Sequence, residues 1–78
     1  MLHHWYEALN AKVGIAVPAV DVEKTRQALY RAKQQASSSD IEGLRLVAAK
    51  QEVWIIHEEF FDGYKINLNK VRKALSAS

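Results

Sequence analysis

The chain has 78 residues, of which 49% are hydrophobic and 26% charged, with 11 Lys and Arg, 9 Asp and Glu, and no Cys. This length suits one domain, residues 1–78, and the lack of Cys excludes disulfides, thiol catalysis and thiolate metal sites. Because no apolar run is long enough for a bilayer and no signal-like segment opens the chain, we expect a cytoplasmic protein that does not contact a membrane.

The first two predicted elements are helices joined by an apolar connector. Over about residues 2–12, apolar side chains recur at helical spacing, and Gly14 suits the left-handed position after the helix. Residues 14–20 are expected to pack across the helices, because an exposed connector would not be so apolar. Asp21 is a good N-cap for the second helix, which is predicted over about residues 21–36.

The third predicted element is a long helix over about residues 40–62. It follows a polar run at residues 37–39 and opens on a capping box formed by Ser39 and Glu42. Its apolar side chains then recur at intervals of three and four residues, which is typical of a helix with one buried face.

Two hairpins are alternatives to this helix. In one, residues 44–48 pair with residues 53–57, but residues 49–52 between them have no turn chemistry. In the other, Asp62-Gly63 is a two-residue turn, but this register places Glu59 beside Ile66 and so mixes charge with core on one face. The helix is therefore preferred, although the β-branched residues of this segment favour strands.

The last predicted element is a short basic helix over about residues 67–76. Asn67 is its expected N-cap, and Leu68, Val71 and Leu75 are its expected buried side chains. A helix, a glycine-containing turn and a second, basic helix are typical of a helix-turn-helix, in which the second helix lies in the major groove of DNA.

Together these elements predict an all-α fold, a small helical bundle or helical hairpin of three to four helices. A chain this short buries only about 60% of its unfolded surface, so its own core is marginal. A helix of residues 40–62 would be about 34 Å long, whereas a compact chain of this length has a radius of gyration of about 12 Å. Its apolar face would overhang a monomer, so we expect dimerisation to complete the core.

The leading functional prediction is a non-enzymatic protein-interaction module that forms a homodimer and binds and modulates or scaffolds a partner protein. The first and third helices supply the expected contact surface, because Trp and Tyr are enriched at interface hot spots. The predicted interface residues are Trp5, Tyr6, Leu9, Val53, Trp54, Phe60 and Phe61.

The uneven distribution of charge supports an alternative function. Residues 40–62 carry six acids and two bases, whereas residues 63–78 carry four bases and no acid. This pattern suits pairing within or between chains, and it also suits a basic tail that binds phosphates. The alternative is a DNA-binding regulator whose predicted nucleic-acid contacts are Asn67, Asn69, Lys70, Arg72 and Lys73.

The histidines favour neither catalysis nor metal binding. His57 lies beside two glutamates, but a helical bundle of this size offers no cleft with a nucleophile or an oxyanion site. His3 and His4 would point about 100° apart on a helix, so they cannot bind one ion together without distortion. We therefore expect no enzymatic activity, no catalytic residue, no metal and no cofactor.

Overall fold

A three-stranded antiparallel sheet with two helices packed against one face forms the centre of the structure. The computed structural model describes residues 1–36 and 39–76, so part of the polar run at 37–39 lies outside the described residues. The helices are α1 (Leu2–Leu9), α2 (Val22–Ala36) and α3 (Leu68–Ser76), and the strands are β1 (Gly14–Pro18), β2 (Leu44–Ala49), β3 (Glu52–His57), β4 (Phe61–Asp62) and β5 (Lys65–Ile66). Short 3₁₀ turns span Ser39–Ile41 and Glu58–Phe60.

This mixed architecture, 51% helical and 28% strand, shows that the prediction of an all-α helical bundle is wrong. The central strand is β3, which pairs with β1 on one side and β2 on the other. Alternate residues of a strand face opposite ways, and the cross-strand row of Ile15, Ile55 and Leu46 faces the helices as part of the core.

The two helices are joined to each other through a buried tryptophan. Trp5 of α1 has no exposed surface, and its Nε1 donates a hydrogen bond to the carbonyl oxygen of Leu29 in α2 at 2.9 Å. This bond satisfies the one polar group of a large apolar side chain, as burial of an indole requires. The buried core comprises Trp5, Ala8, Val17, Ala19, Leu29, Ile41, Leu44, Val53 and Ile55.

The predicted helix of residues 40–62 is wrong, and the first rejected hairpin takes its place as β2 and β3. The turn that joins β2 to β3 is Lys50-Gln51. Gln51 has a positive φ of 65°, a left-handed conformation that residues other than glycine rarely adopt. That conformation costs roughly 1–2 kcal/mol, and the carbonyl oxygen of Gln51 accepts a hydrogen bond from the Ala19 backbone at 2.9 Å. Because β3 buries both Ile55 and Ile56, its apolar run lacks the alternation that identifies a half-buried strand.

The second rejected hairpin also forms, with its turn shifted by one residue. Gly63 and Tyr64 are the turn residues of β4 and β5, and Gly63 has φ of 64° at the first position, as in a type II′ turn. The shift pairs Phe61 with Ile66. The predicted conflict of charge and core therefore does not arise.

The predicted helix caps at Asp21 and Asn67 are confirmed. The Asp21 carboxylate accepts a hydrogen bond from the Lys24 backbone at 3.1 Å, and the Asn67 side-chain oxygen accepts one from the Lys70 backbone at 3.2 Å. Helix α1, in contrast, ends at Leu9 rather than near residue 12. The segment predicted as an apolar connector becomes β1.

Glycine at position 14 is required by the close approach of two strands. An ideal Cβ at Gly14 would lie 2.1 Å from the carbonyl oxygen of Ile55 and 2.8 Å from the Cα of Ile56. Both are backbone atoms, which cannot rotate out of the way as a flexible side chain can. Gly14 therefore serves strand pairing and not the left-handed helix end that the sequence suggested.

We expect Gly14→Ala to destabilise the chain by about 1–3 kcal/mol, the range for overpacking. Gly43→Ala is the matched control, because nothing lies within 4 Å of a Cβ at that position. Urea denaturation followed by circular dichroism measures both variants. Equal stabilities would contradict the close pairing of β1 with β3.

Candidate functional site

A groove of about 360 Å³ follows the outer edge of β2. Leu44, Arg45 and Leu46 all line it. Consecutive strand residues point to opposite faces of a sheet, so three in a row share one groove only where the groove follows the edge of the strand. Over residues 1–36 and 39–76, β2 pairs with β3 alone, which leaves that edge without a neighbouring strand.

Helix α2 and the turn between β4 and β5 form the sides of the groove. From α2 come Arg26, Tyr30 and Lys33, whose spacing of four and three residues places them on one helix face. From the turn comes Tyr64, which is 99% exposed, while Tyr30 is 51% exposed. Two large aromatic rings are thus accessible beside the partly buried Leu46.

Lys33 is fixed in position by two intramolecular contacts. Its Nζ donates a hydrogen bond to the carbonyl oxygen of Leu44 at 2.9 Å and lies 5.3 Å from the centre of a Trp5 ring. The second contact has cation–π geometry, in which the ring face attracts the ammonium group. An ammonium has three donors, so the bond to Leu44 leaves two for other partners.

Arg45 ties β2 to the turn that carries Tyr64. Its Nη1 donates a hydrogen bond to the carbonyl oxygen of Gly63 at 2.7 Å, and its guanidinium carbon lies 5.4 Å from the centre of the Phe61 ring. Its Nε is 3.9 Å from the Glu58 carboxylate, and both side chains are largely exposed. An exposed pair at that distance contributes little to stability.

Arg26 forms a salt bridge with Glu23, three residues earlier on α2. Its Nη2 lies 2.6 Å from Glu23 Oε1, and its Nε donates to Oε2 at 3.2 Å. The hydrogen bond from this guanidinium lowers the pKa of Glu23 below its ordinary value and raises the pKa of Arg26. The charged residues that line the groove are Arg26, Lys33 and Arg45, all cationic.

The predicted interface residues do not form one surface. Trp5, Val53 and Phe60 are buried, Leu9 packs partly buried against the core, and Trp54 and Phe61 are half-buried. Tyr6 is 38% exposed. The amphipathic helix that would have aligned these residues does not exist, since Val53 and Trp54 are neighbours on a strand and face opposite ways.

Trp54 lies on the face of the sheet opposite the helices. Its row contains Ala16 of β1 and Val47 of β2. Its indole Nε1 donates a hydrogen bond to the Glu52 carboxylate at 2.7 Å. The half-buried Trp54 is thus separated from the groove residues on the helix-covered face by the sheet itself.

The predicted nucleic-acid contacts lie on α3 and its N-cap, but the element before α3 is a hairpin. The helix-turn-helix geometry is therefore absent from this segment. Asn67 is occupied as the N-cap, and its amide donates to the Asp62 carboxylate at 2.7 Å. Lys70 pairs with the same carboxylate at 3.4 Å. The exposed remainder of the predicted set is Asn69, Arg72 and Lys73.

His57 has a structural contact at the end of α1. Its Nε2 lies 3.0 Å from the carbonyl oxygens of both Ala8 and Ala11. Both neighbours are acceptors, so this ring nitrogen must carry the proton. The Ala8 carbonyl also accepts a hydrogen bond from the Ala11 backbone at 3.1 Å, so His57 adds a side-chain bond to the turn that ends α1.

The N-terminal histidines lie close to each other and to Glu7. His4 Nδ1 is 3.8 Å from Glu7, and the rings of His3 and His4 are 4.0 Å apart. Burial and the neighbouring His3 lower the pKa of His4. Within the described ranges there is no group of three or more His, Asp or Glu side chains arranged to hold a metal ion.

Sequence reasoning did not identify the groove. The spacing of Arg26, Tyr30 and Lys33 was readable once α2 was predicted, but it resembles an ordinary solvated helix face. Arg45 joins them because its segment folds as a strand and not as part of the predicted helix of residues 40–62. Tyr64 joins them because it lies in the turn of a hairpin and not, as predicted, in a turn between two helices. The two hairpin alternatives in residues 44–66 are the signal in the sequence that indicates this arrangement.

Comparison with protein-family models, curated proteins and solved structures finds no match for this chain. Among the described residues, no helix combines the length and the apolar character needed to cross a membrane.

Proposed function

We propose that this chain is a protein-interaction module that binds an extended segment of a partner protein along the outer edge of β2. The observation that carries the proposal is the groove between β2 and α2, which combines a strand edge with no neighbouring strand among the described residues, the partly buried Leu46 and two exposed aromatic rings. An extended peptide can add a strand to such an edge through main-chain hydrogen bonds, while its side chains enter flanking pockets.

The edge of β2 suits strand addition better than the edge of β1. Exposed edges invite pairing, and proline blunts them because it has no backbone N–H to donate. β1 ends on Pro18, opposite Glu52. β2 contains no proline and carries Leu46, Val47 and Ala48 in its centre, so covering its edge with a partner removes a hazard of aggregation.

The residues of the groove are suited to binding rather than to a reaction. Tyr30 and Tyr64 are rigid, amphipathic side chains that give large contact area at low entropic cost. The lining residues comprise these two rings, a third from Trp5, two leucines and three cations. They include no carboxylate or imidazole that would act as a base, so the proposed function involves no catalytic step.

We expect Tyr30→Ala to weaken binding of the partner segment about tenfold, since truncating an aromatic hot spot costs more than ~1 kcal/mol. The probe is a peptide selected from a displayed library of short random sequences against the full chain, and fluorescence anisotropy measures its affinity. Tyr6→Ala is the matched control, because Tyr6 is exposed on α1 and does not line the groove. Loss of binding in Tyr6→Ala alone would place the interface on α1 and overturn the proposal.

Strand addition makes a further demand on the same peptide. Methylation of a backbone nitrogen removes its hydrogen-bond donor. Successive N–H groups of a strand point toward opposite edges, so only every second nitrogen of the peptide faces β2. We expect N-methylation at one set of alternate positions to abolish binding and at the other set to be tolerated. Equal tolerance of both sets would contradict pairing with β2.

The predicted homodimer is proposed to form through the open sheet face at Trp54. A half-buried tryptophan beside Ala16 and Val47 offers an apolar contact that a second copy can cover. We expect Trp54→Ala to shift the chain to monomer in light scattering, with Leu68→Ala on α3 as control. Dimer loss in Leu68→Ala but not in Trp54→Ala would assign the contact to α3 instead.

DNA binding through α3 is the second candidate function, favoured by the exposure of Arg72 and Lys73 on its surface. Neither residue has an ion-pair partner among those described. If this helix binds DNA, replacing Lys70, Arg72 and Lys73 by Gln will lower affinity for a mixed-sequence duplex and reduce its salt dependence. Unchanged binding in a gel-shift titration would exclude this role for α3.

A further inference from the structure

The cations of the groove are distributed around the place where an added strand would lie. Arg26 and Lys33 come from α2, which covers one face of the sheet. Arg45 pairs with Ile56 on the opposite face. A strand added at the edge of β2 continues the sheet and has the same two faces. It therefore meets positive charge on both.

Two of these three cations are held in place before any ligand binds. Lys33 is anchored at the Leu44 carbonyl and above the Trp5 ring, and Arg45 is anchored at the Gly63 carbonyl. Side chains that are already ordered lose less entropy on binding, which favours affinity. Each also keeps donors, because a guanidinium has five N–H groups and an ammonium three.

The acidic neighbours of the groove neutralise it only in part. Glu23 bonds closely to Arg26, whereas Glu58 reaches Arg45 only at 3.9 Å. Lys33 has no carboxylate within ion-pair distance among the described residues. The groove thus carries positive charge next to the partly buried side chain of Leu46.

We infer that the segment bound in the groove is acidic, with carboxylates on both faces of an extended strand. This inference rests on the proposed function and names the chemistry of its partner. An acidic polypeptide is favoured over a nucleic acid because the open backbone edge of β2 offers hydrogen bonds that a strand, and not a phosphodiester chain, can complete. Carboxylate oxygens accept hydrogen bonds from the N–H groups of Lys33 and Arg45 that have no partner within the chain's own groove contacts.

The test compares one selected peptide with its own neutral form. Short random peptides are displayed, those that bind the full chain and require Tyr30 are kept, and each Asp and Glu is then replaced by Asn or Gln. We expect acidic residues to be enriched among the kept peptides and the amide form to bind about tenfold more weakly, equivalent to ~1.4 kcal/mol. Affinity of the acidic form should also fall as salt rises.

Variants of the chain locate the effect. Lys33→Gln and Arg45→Gln should each weaken the acidic peptide by a larger factor than the amide form, whereas Lys24→Gln, on α2 outside the groove, should change neither. Glu23→Gln should strengthen the acidic peptide, because it frees Arg26 from its carboxylate neighbour. Circular dichroism confirms that each variant is folded.

The possible failures are distinguishable. Peptides that require Tyr30 but bind equally well as amides would overturn the acidic partner and leave the proposed function standing. A library with no peptide that requires Tyr30 would overturn the proposed function itself. A single-stranded oligothymidine that binds more tightly than every peptide, and loses affinity in Tyr30→Ala, would assign the groove to nucleic acid and overturn both.

Discussion

The fold depends on β3 being paired on both sides and buried on both faces. Val53 and Ile55 pack toward the helices, while Ile56 is buried on the other face. A strand in this position satisfies its backbone through two neighbours, so β1 and β2 become the outer strands. The open edge of β2, and with it the groove, follows from the central place of β3.

Two contacts made by α1 and α2 then determine where the groove opens. The hydrogen bond from Trp5 to the Leu29 carbonyl fixes the two helices relative to each other. Lys33 connects α2 to β2 through the Leu44 carbonyl. The side chain that joins the helix to the strand is thus also one of the cations that face the groove, so stability and the proposed binding depend on the same residue.

The sequence predicted those parts of the fold that local interactions decide. The Asp21 and Asn67 caps bond to backbone groups three residues away, so their chemistry is visible in a short window. The strands of residues 44–57 were missed because their evidence is tertiary. β3 is apolar at successive positions, and its turn uses Gln51 at positive φ instead of a glycine or asparagine. A segment without alternation and without a turn signal is read as a helix when its apolar residues happen to recur every three or four positions.

The groove was beyond sequence reasoning for a related reason. Helix α2 supplies residues 26, 30 and 33, strand β2 supplies residue 45, and the turn between β4 and β5 supplies residue 64. The net charge of each segment indicated the basic C-terminal segment as the anion-binding site. Arg45 lies instead in residues 40–62, which carry six acids and only two bases. Only the pairing of β2 with β3 turns Arg45 toward a groove, and only the hairpin turn at Gly63 brings Tyr64 beside it. A local excess of positive charge can therefore arise within a segment that is acidic overall, and the partner such a site selects is decided by the folded surface and not by the composition of the segment.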